Sequence, residues 1–383
     1  MTPDSPALSN RSLVPIYLCC LAFGVQAGTG MPLVPLALER QGVDNLGIGI
    51  VASAWGIGML ATAHRIPALA ARLGAVPMIV FASLLNAAIS VAFAYSQGAA
   101  LWFGLSLLSG AVGGVPWVVS EIWINLVVEE KQRGRAVAIY STLVALGLAT
   151  GPLVLQLVGV YGPRPFLVNA AMAVLVILPL VAVAGRAPLI RPLGRGGFAG
   201  VLRAAPVAWL AALACGLGEN VAFSFLPIFA LEAGVSAEIG ATWLSAFVIG
   251  NLVLQWPIGW LADHADRRAV LAGCAAGSAL LVGLVTLVDP QSHAVLAVLL
   301  AWGGISFGIY TVGLALLGQR FKGGDMARAN AAFTMIYTFG GLLGRPISGA
   351  AMDAFGRAGL TVSVAVFYGA AALAALLAFQ RRG

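Results

Sequence analysis

The hydrophobic positions of this chain fall into twelve long apolar stretches, separated by short polar segments. A helix needs roughly 20 mostly apolar residues to cross the hydrocarbon core of a bilayer. The stretches lack the two-residue alternation of a membrane β-barrel, so they predict an all-α membrane protein. The predicted spans cover residues 13–38, 45–63, 76–95, 99–127, 136–160, 164–185, 207–232, 238–260, 269–288, 293–317, 329–353 and 360–379.

The composition excludes a water-soluble fold. Of the 383 residues 60% are hydrophobic and only 9% are charged, against about 25% charged in soluble domains. The chain is therefore neither a secreted disulfide scaffold, nor a coiled coil, nor a disordered protein. All four cysteines fall inside predicted spans, and we interpret them as small buried hydrophobic residues. No metal site and no cofactor is predicted.

The basic residues predict how the spans are oriented. If the N-terminus is cytoplasmic, 17 of the 21 Lys and Arg lie on the cytoplasmic side, three lie on the other side, and Arg345 lies within a span. The positive-inside rule predicts this asymmetry for twelve spans with both termini in the cytoplasm. The net charge of +7 is thus explained by topology in a bacterial inner membrane, and no nucleic-acid partner is predicted.

An internal repeat divides the chain into two halves. Landmarks recur at a nearly constant offset, Gly147 with Gly340 and Pro152 with Pro346. Duplicated six-helix halves are a transporter architecture, with the substrate site between the halves near mid-membrane. The predicted parts are an N-terminal six-helix bundle (1–185), a cytoplasmic linker (186–206) and a C-terminal six-helix bundle (207–383).

Several motifs resemble those of the major facilitator superfamily. The segment Gly259–Arg268 follows the superfamily's G-x-L-A-D-R-x-G-R-R loop, and Arg133–Ala136 resembles its R-G-R/K-A element. The segment Gly147–Pro152 resembles the glycine-proline motif of the antiporters, through Gly147, Gly151 and Pro152. The equivalent loop of the first half has Ala71 in place of the aspartate, and Ser106 stands where a span-four arginine is usual. The pattern is most similar to little-characterised bacterial branches.

The resemblance implies alternating access, with spans four, seven and eleven lining a central cavity. It also implies a cytoplasmic gate in which Asp263 pairs with Arg133 or Arg135 at the start of span five. Arg267 and Arg268 belong to the same gate, or serve only to fix topology. A monomer is expected.

Three charged residues within spans are the main site candidates. Placing a charge at mid-bilayer costs at least about 2.5–3.5 kcal/mol, so Glu219, Arg345 and Glu121 require an explanation. One hypothesis is that a carboxylate carries a proton while Arg345 holds an anionic group or senses that protonation. The alternatives are a buried structural ion pair between Glu219 and Arg345, and a helix-end position for Glu121.

Uncharged polar residues within the spans are weaker candidates. Thr334, Thr338 and Arg345 are spaced at i, i+4 and i+11, which places them on one helix face. Polar side chains with aromatic neighbours are typical of a small-molecule site, although many such residues only bridge membrane helices. The candidates are Gln26, Thr29, Trp117, Asn220, Asn251, Gln255, Tyr310, Thr334 and Thr338.

These features predict a secondary transporter for a small organic solute, coupled to protons and working as an exporter. The direction is implied only by the resemblance at Gly147–Pro152, so uptake of a small organic anion or a sugar is the alternative. No nucleotide-binding loop of the G-x-x-x-x-G-K-[ST] type occurs. An intramembrane enzyme or a transporter-like sensor is a remote alternative, because the three histidines lie in loops or at span ends.

Overall fold

A computed structural model describes residues 13–128, 130–181 and 199–380. Every regular element within these ranges is an α-helix, which confirms the all-α prediction. The helices are α1 (Leu13–Arg40), α2 (Asn45–Ala63), α3 (Ile66–Leu73), α4 (Ala75–Ala94), α5 (Ala99–Val127), α6 (Glu130–Val158), α7 (Pro163–Leu175), α8 (Leu178–Val181), α9 (Ala199–Ala204), α10 (Pro206–Glu232), α11 (Ala237–His264), α12 (Arg267–Val285), α13 (Ala294–Arg320), α14 (Gly323–Phe355) and α15 (Arg357–Gln380).

The predicted spans agree with these helices. Eleven segments of the described chain are long and apolar enough to cross a membrane, and α7 with α8 counts as one of them. The remaining span, the eleventh in chain order, is α14, whose apolar run is interrupted by Arg345 and Pro346. Its 33 residues make a helix about 50 Å long, well above the roughly 30 Å of a hydrocarbon core.

The structure adds three details that the prediction did not include. The loop between the second and third spans contains α3, too short to be found as a span, which buries Ile66 and Ala70. The sixth span is interrupted between α7 and α8, because Pro179 lacks an N–H and disfavours a continuous helix before it. The predicted linker contains α9 and the start of α10. Residues 186–198 of the linker lie outside the described residues.

The twelve spans form two bundles of six. In the N-bundle (α1, α2 and α4–α8) the closest pairs are α1 with α6 and α2 with α5. In the C-bundle (α10–α15) they are α10 with α14 and α11 with α13. These pairs occupy equivalent places in the two halves, as the internal repeat predicts. Contacts between the bundles are made by α2 with α14, α6 with α11 and α1 with α10.

Glycines allow the first and fifth spans of each bundle to pack backbone to backbone. In the N-bundle, a Cβ on Gly147 would lie 2.5 Å from the carbonyl oxygen of Leu21, and one on Gly151 would lie 2.4 Å from Gly28. In the C-bundle, a Cβ on Gly216 would lie 2.0 Å from the carbonyl oxygen of Tyr337. No side chain fits at such distances, so the glycines set the helix spacing.

Helix ends define two faces of the molecule. We call the face that carries the beginning of α1 and the end of α15 the basic face, and the other the opposite face. The basic face includes the turns at 63–75, 127–130, 264–267 and 320–323. The opposite face includes the turns at 40–45, 94–99, 158–163, 232–237, 285–294 and 355–357.

Candidate functional site

A cavity of about 130 Å³ lies between the bundles and is lined mostly by the N-bundle. Apolar walls with a few convergent polar groups are typical of a small-molecule site. Its large apolar side chains include Phe23, Met31, Trp55, Phe93, Trp117 and Phe166. Its polar side chains are Gln26, Asn86, Ser90, Ser106, Ser109 and Asn169 from the N-bundle and Ser224 and Arg345 from the C-bundle.

Aromatic contacts bound the cavity at both ends. Toward the opposite face, Phe93 packs against Phe166 and Trp102, with ring centroids 5.8 Å and 5.0 Å apart. Toward the basic face, Phe23 and Trp117 meet edge to face at 6.4 Å. Trp117 is 37% exposed, and Glu121, one turn further along α5, is exposed as well. The cavity is therefore more open toward the basic face.

Arg345 is the one charged side chain that the described residues contribute to the cavity wall, and it is only 5% exposed. Its Nε donates to Ser224 Oγ at 3.0 Å and to the Asn220 carbonyl oxygen at 3.3 Å. Its Nη2 donates to Asn220 Oδ1 at 2.9 Å, and its Nη1 donates to the carbonyl oxygen of Ala52 in the N-bundle at 3.3 Å. All these acceptors are uncharged, and no ion pair to Arg345 occurs within the described ranges.

Glu219 is buried in the C-bundle and does not line the cavity. Its Oε2 accepts a hydrogen bond from the Tyr337 hydroxyl at 3.1 Å. The ion pair with Arg345 that the sequence left open does not form. Neighbouring residues on a helix point about 100° apart, so with Asn220 turned toward Arg345, Glu219 is turned away from it.

Two tyrosines of the C-bundle lie near the buried carboxyl group of Glu219. The ring of Tyr310 on α13 stands perpendicular to that of Tyr337, with centroids 5.7 Å apart. Tyr310 lies near both Glu219 and Glu121. Since Tyr310 belongs to the C-bundle, Glu121 on α5 lies on the side of the N-bundle that faces the C-bundle.

The other predicted polar residues have several environments. Gln26 and Trp117 line the cavity, and Asn220 positions Arg345. Thr29 instead bonds the carbonyl oxygens of Val25 and Gly151 inside the N-bundle, as the helix-bridging alternative describes.

The remaining candidates lie away from the cavity wall. Thr338 is buried and donates to the carbonyl oxygen of Thr334, one turn earlier on α14. Gln255 and Thr334 are exposed, and Asn251 is half-buried. An exposed amide or hydroxyl within a span is unfavourable next to lipid. These positions therefore agree better with a water-filled vestibule than with the lipid-facing surface.

Sequence reasoning missed the short polar side chains of the N-bundle. Ser109 donates to Asn86 Oδ1 at 2.9 Å, and Asn169 donates to Ser90 Oγ at 3.2 Å. Helical spacing could have identified two of them. Ser106 lies eleven residues before Trp117 and Ser109 lies eight before it, so both share the helix face of Trp117.

The bundles are joined near the opposite face. Asp353, in the last turn of α14, accepts hydrogen bonds from the backbone N–H groups of Asn45 (2.9 Å) and Leu46 (2.8 Å), which begin α2. Deeper in the membrane, Ser53 donates to the carbonyl oxygen of Leu342 at 3.0 Å. A Cβ on Gly49 would lie 2.5 Å from the carbonyl oxygen of Arg345, so α2 and α14 touch along this half.

The connection between α6 and α7 adds to this closure. The guanidinium of Arg40 lies 4.4 Å over the ring of Tyr161. Burial raises the pKa of Tyr161, and the nearby carboxylates of Glu39 and Glu238 add to the effect. Glu238 belongs to the C-bundle, so Tyr161 of the N-bundle lies close to the other bundle at this face.

On the basic face, the predicted gate residues bond within the C-bundle. Asp263 pairs with Arg267 at 3.0 Å, and Arg267 also donates to the carbonyl oxygen of Ala315. Arg268 donates to the carbonyl oxygen of Ala378 on α15. Arg135 is exposed, and the side chain of Arg133 lies outside the described part of the structure. The pairing of Asp263 with α6 stays a prediction.

No group of three or more His, Cys, Asp or Glu that could hold a metal ion occurs in the described residues. All four cysteines are buried and form no disulfide.

A family model described as the Major Facilitator Superfamily matches residues 16–242 and 208–382. The chain belongs to this superfamily. Among curated relatives, it is 24% identical over 343 residues to the uncharacterized MFS-type transporter YfkF of Bacillus subtilis, covering 88% of each chain. It is 25% identical over 320 residues to the uncharacterized MFS-type transporter Ent638_1421 of Enterobacter, covering 82% of this chain and 81% of the relative.

Solved structures share the same fold. The nucleoside transporter NupG superposes with a TM-score of 0.77 at 16% identity, over 97% of this chain and 99% of that one. A bacterial homologue of the human lysosomal transporter Spinster, inward-facing and occupied, gives a TM-score of 0.72 at 15% identity, over 99% and 98%. This superfamily member is thus a multi-pass membrane protein and a secondary transporter, not an enzyme.

Proposed function

We propose that the protein moves a small organic solute by alternating access through the cavity between its bundles, in exchange for protons. The observation that carries the proposal is one-sided closure. The bundles touch along α2 and α14 from Asp353 inward to Ser53, whereas exposed polar side chains follow the spans toward the basic face. A site open to one side and closed to the other is the arrangement that rocking of two repeats requires.

Proton coupling is assigned to Glu219. An ionised carboxylate buried without a cation costs several kcal/mol more than a neutral acid. Tyr337 donates one hydrogen bond to Glu219, but no cation pairs with this buried acid within the described residues, and burial without a cation supports a protonated carboxyl group. Rocking that hydrates the C-bundle would allow release of the proton. Glu121, exposed beside Trp117, is the second candidate and the group that water reaches first.

The basic face is proposed to be cytoplasmic, with both termini inside, on the distribution of Lys and Arg. Export is the proposed direction, on the resemblance of Gly147–Pro152 to the antiporter motif. Uptake of a small organic anion is the second candidate. Arg345 in the cavity wall favours an anionic substrate equally for uptake and for export. We expect a functional monomer, since each chain contains both bundles.

The gate on the basic face is proposed to close in the other half of the cycle. There Asp263 would leave Arg267 and accept hydrogen bonds at the start of α6, beside Arg133 and Arg135. On the opposite face Asp353 already makes the equivalent contact with the start of α2. The two aspartates would then hold alternate ends of the transporter shut.

The test is transport by purified protein in proteoliposomes with an imposed pH gradient. Substrates are first found by thermal shift against metabolite and drug libraries at two pH values. Wild type should accumulate the solute only with the gradient in one polarity, which also separates export from uptake. Glu219→Gln should lose the response to pH, while Asp289→Asn, at an exposed acid in the loop between α12 and α13, keeps it. Normal transport with an unchanged pH profile in Glu219→Gln would contradict the coupling assignment.

A further inference from the structure

Arg345 lacks the partner that a buried cation ordinarily has. A charge desolvated to this extent is expected to have a counter-ion, since removing a charge from water costs several kcal/mol. Arg345 is 5% exposed, and within the described residues its acceptors are one hydroxyl, one amide and two backbone carbonyl groups. Neutral acceptors orient a guanidinium but leave its charge unbalanced.

The hydrogen-bond count shows what the site still offers. Each terminal nitrogen of a guanidinium carries two N–H groups. In Arg345, Nη1 bonds the Ala52 carbonyl oxygen and Nη2 bonds Asn220 Oδ1, one acceptor each among the described residues. One N–H therefore remains on each terminal nitrogen, and a carboxylate accepts two such hydrogen bonds from a single arginine.

The cavity wall limits the rest of the ligand. Arg345 is the one cation among the described lining residues, so a second negative charge would be buried without a partner. Beyond it the wall is mainly aromatic, with Trp55, Phe23 and Trp117 among the contributors. The short amides of Asn86 and Asn169 add hydrogen-bonding groups of no net charge. Such a lining suits an apolar body with a single acidic group.

We propose that this cavity binds a small organic monoanion, whose carboxylate is held by the two terminal nitrogens of Arg345 and whose apolar body lies against the aromatic wall of the N-bundle. This assignment of a substrate class rests on the proposed transport function. The guanidinium also bonds the Ala52 carbonyl oxygen across the bundle interface. The anion would therefore bind at the boundary that alternating access has to open.

Binding is tested on the full-length protein in detergent by tryptophan fluorescence, because Trp55 and Trp117 line the cavity. The probes are matched pairs of acid and amide: acetate with acetamide, benzoate with benzamide, and phenylacetate with phenylacetamide. Succinate and inorganic phosphate serve as dianionic probes. We expect saturable binding of at least one aromatic monoanion, and weaker binding of its amide by about tenfold or more.

Variants assign the effect to Arg345. Arg345→Lys keeps the charge but not the planar pair of donors, so it should weaken binding of the acid by about tenfold and leave the amide unchanged. Arg345→Gln should remove the difference between acid and amide. Arg357→Gln changes the same charge at an exposed site on the opposite face and should bind like wild type. The comparison of acid with amide in wild type stands even if an Arg345 variant fails to fold.

The outcomes separate this inference from the proposed function. Equal affinity for every acid and its amide, no binding by any probe, or tighter binding of the dianions would overturn the monoanion site. Proton-coupled transport of some other solute would then leave the proposed function standing. A monoanion that binds through Arg345 but is not moved across proteoliposomes under either gradient would support the site and contradict the proposed function.

Discussion

Asp353→Ala should shift this transporter away from the conformation described here. The carboxylate belongs to the C-bundle, and its two acceptor contacts are to backbone N–H groups at the start of α2 in the N-bundle. Because the contacts cross the interface, they stabilise only the state in which the opposite face is closed. The positive end of the α2 helix dipole adds to the attraction.

The magnitude follows from the two distances and the exposure of the site. Hydrogen bonds to a charged group contribute about 1.5–3 kcal/mol each when shielded, while exposed ionic contacts contribute roughly 0.2–1 kcal/mol. Asp353 is exposed, so we take about 1–2 kcal/mol for the two together. Since about 1.4 kcal/mol is a factor of ten, the equilibrium between conformations should move by about 5- to 30-fold.

Spin-label distances measure this shift directly. Labels at Gln97 and Gln291 report on the opposite face, one from each bundle, and labels at His64 and Gln319 report on the basic face. Asp353→Ala should increase the fraction of long distances between the first pair and of short distances between the second pair.

An aspartate near the same face provides the control. Asp289 bonds Gln291 within its own loop. Alanine at this position removes a carboxylate without removing a contact between bundles, so Asp289→Ala should keep the wild-type distances. For Asp289 the label moves from Gln291 to His293. Unchanged distance distributions in Asp353→Ala would refute the reasoning.

Three further predictions concern packing, coupling and the second gate. Gly216→Ala should lower the free energy of unfolding by about 1–3 kcal/mol, because the new methyl group would lie 2.0 Å from the Tyr337 carbonyl oxygen. The control Gly369→Ala places a methyl group in open space, so it should unfold like wild type in a thermal melt. Tyr337→Phe removes the hydroxyl that bonds Glu219, so the pH profile of transport should change, while substrate affinity at a fixed pH should change by less than about threefold. Asp263→Ala should slow transport at equal membrane abundance, and equal rates would count against a gate at this residue.

The spans were predictable because each must satisfy its own backbone hydrogen bonds and be apolar over the thickness of the bilayer. Length and hydropathy therefore identify them without knowledge of their neighbours. The exceptions have local causes: α3 is too short to be found in this way, and Pro179 interrupts the sixth span. The glycines of the first and fifth spans were visible, but their backbone contacts depend on which helices meet.

The site was only partly predictable. Arg345 and Glu219 stood out because a charge within a span is costly, yet their partners depend on how α10 is rotated, and adjacent positions on that helix face different neighbours. Ser106 and Asn86 were missed because short polar side chains are common in membrane helices and cost little there. Asp353 was missed because acidic residues are common at helix ends. Its role depends on the start of α2 lying beside it, which the sequence does not show.

The central claim is that an aqueous cavity between the bundles opens to alternate sides of the membrane. Cysteine labelling at Ser109 tests it most directly, since this half-buried residue lines the cavity and the four native cysteines are buried. A membrane-impermeant maleimide in oriented vesicles should reach Ser109→Cys from the basic face, and from the opposite face once Asp353→Ala is added. A position that no aqueous reagent reaches from either side in either background would contradict the account.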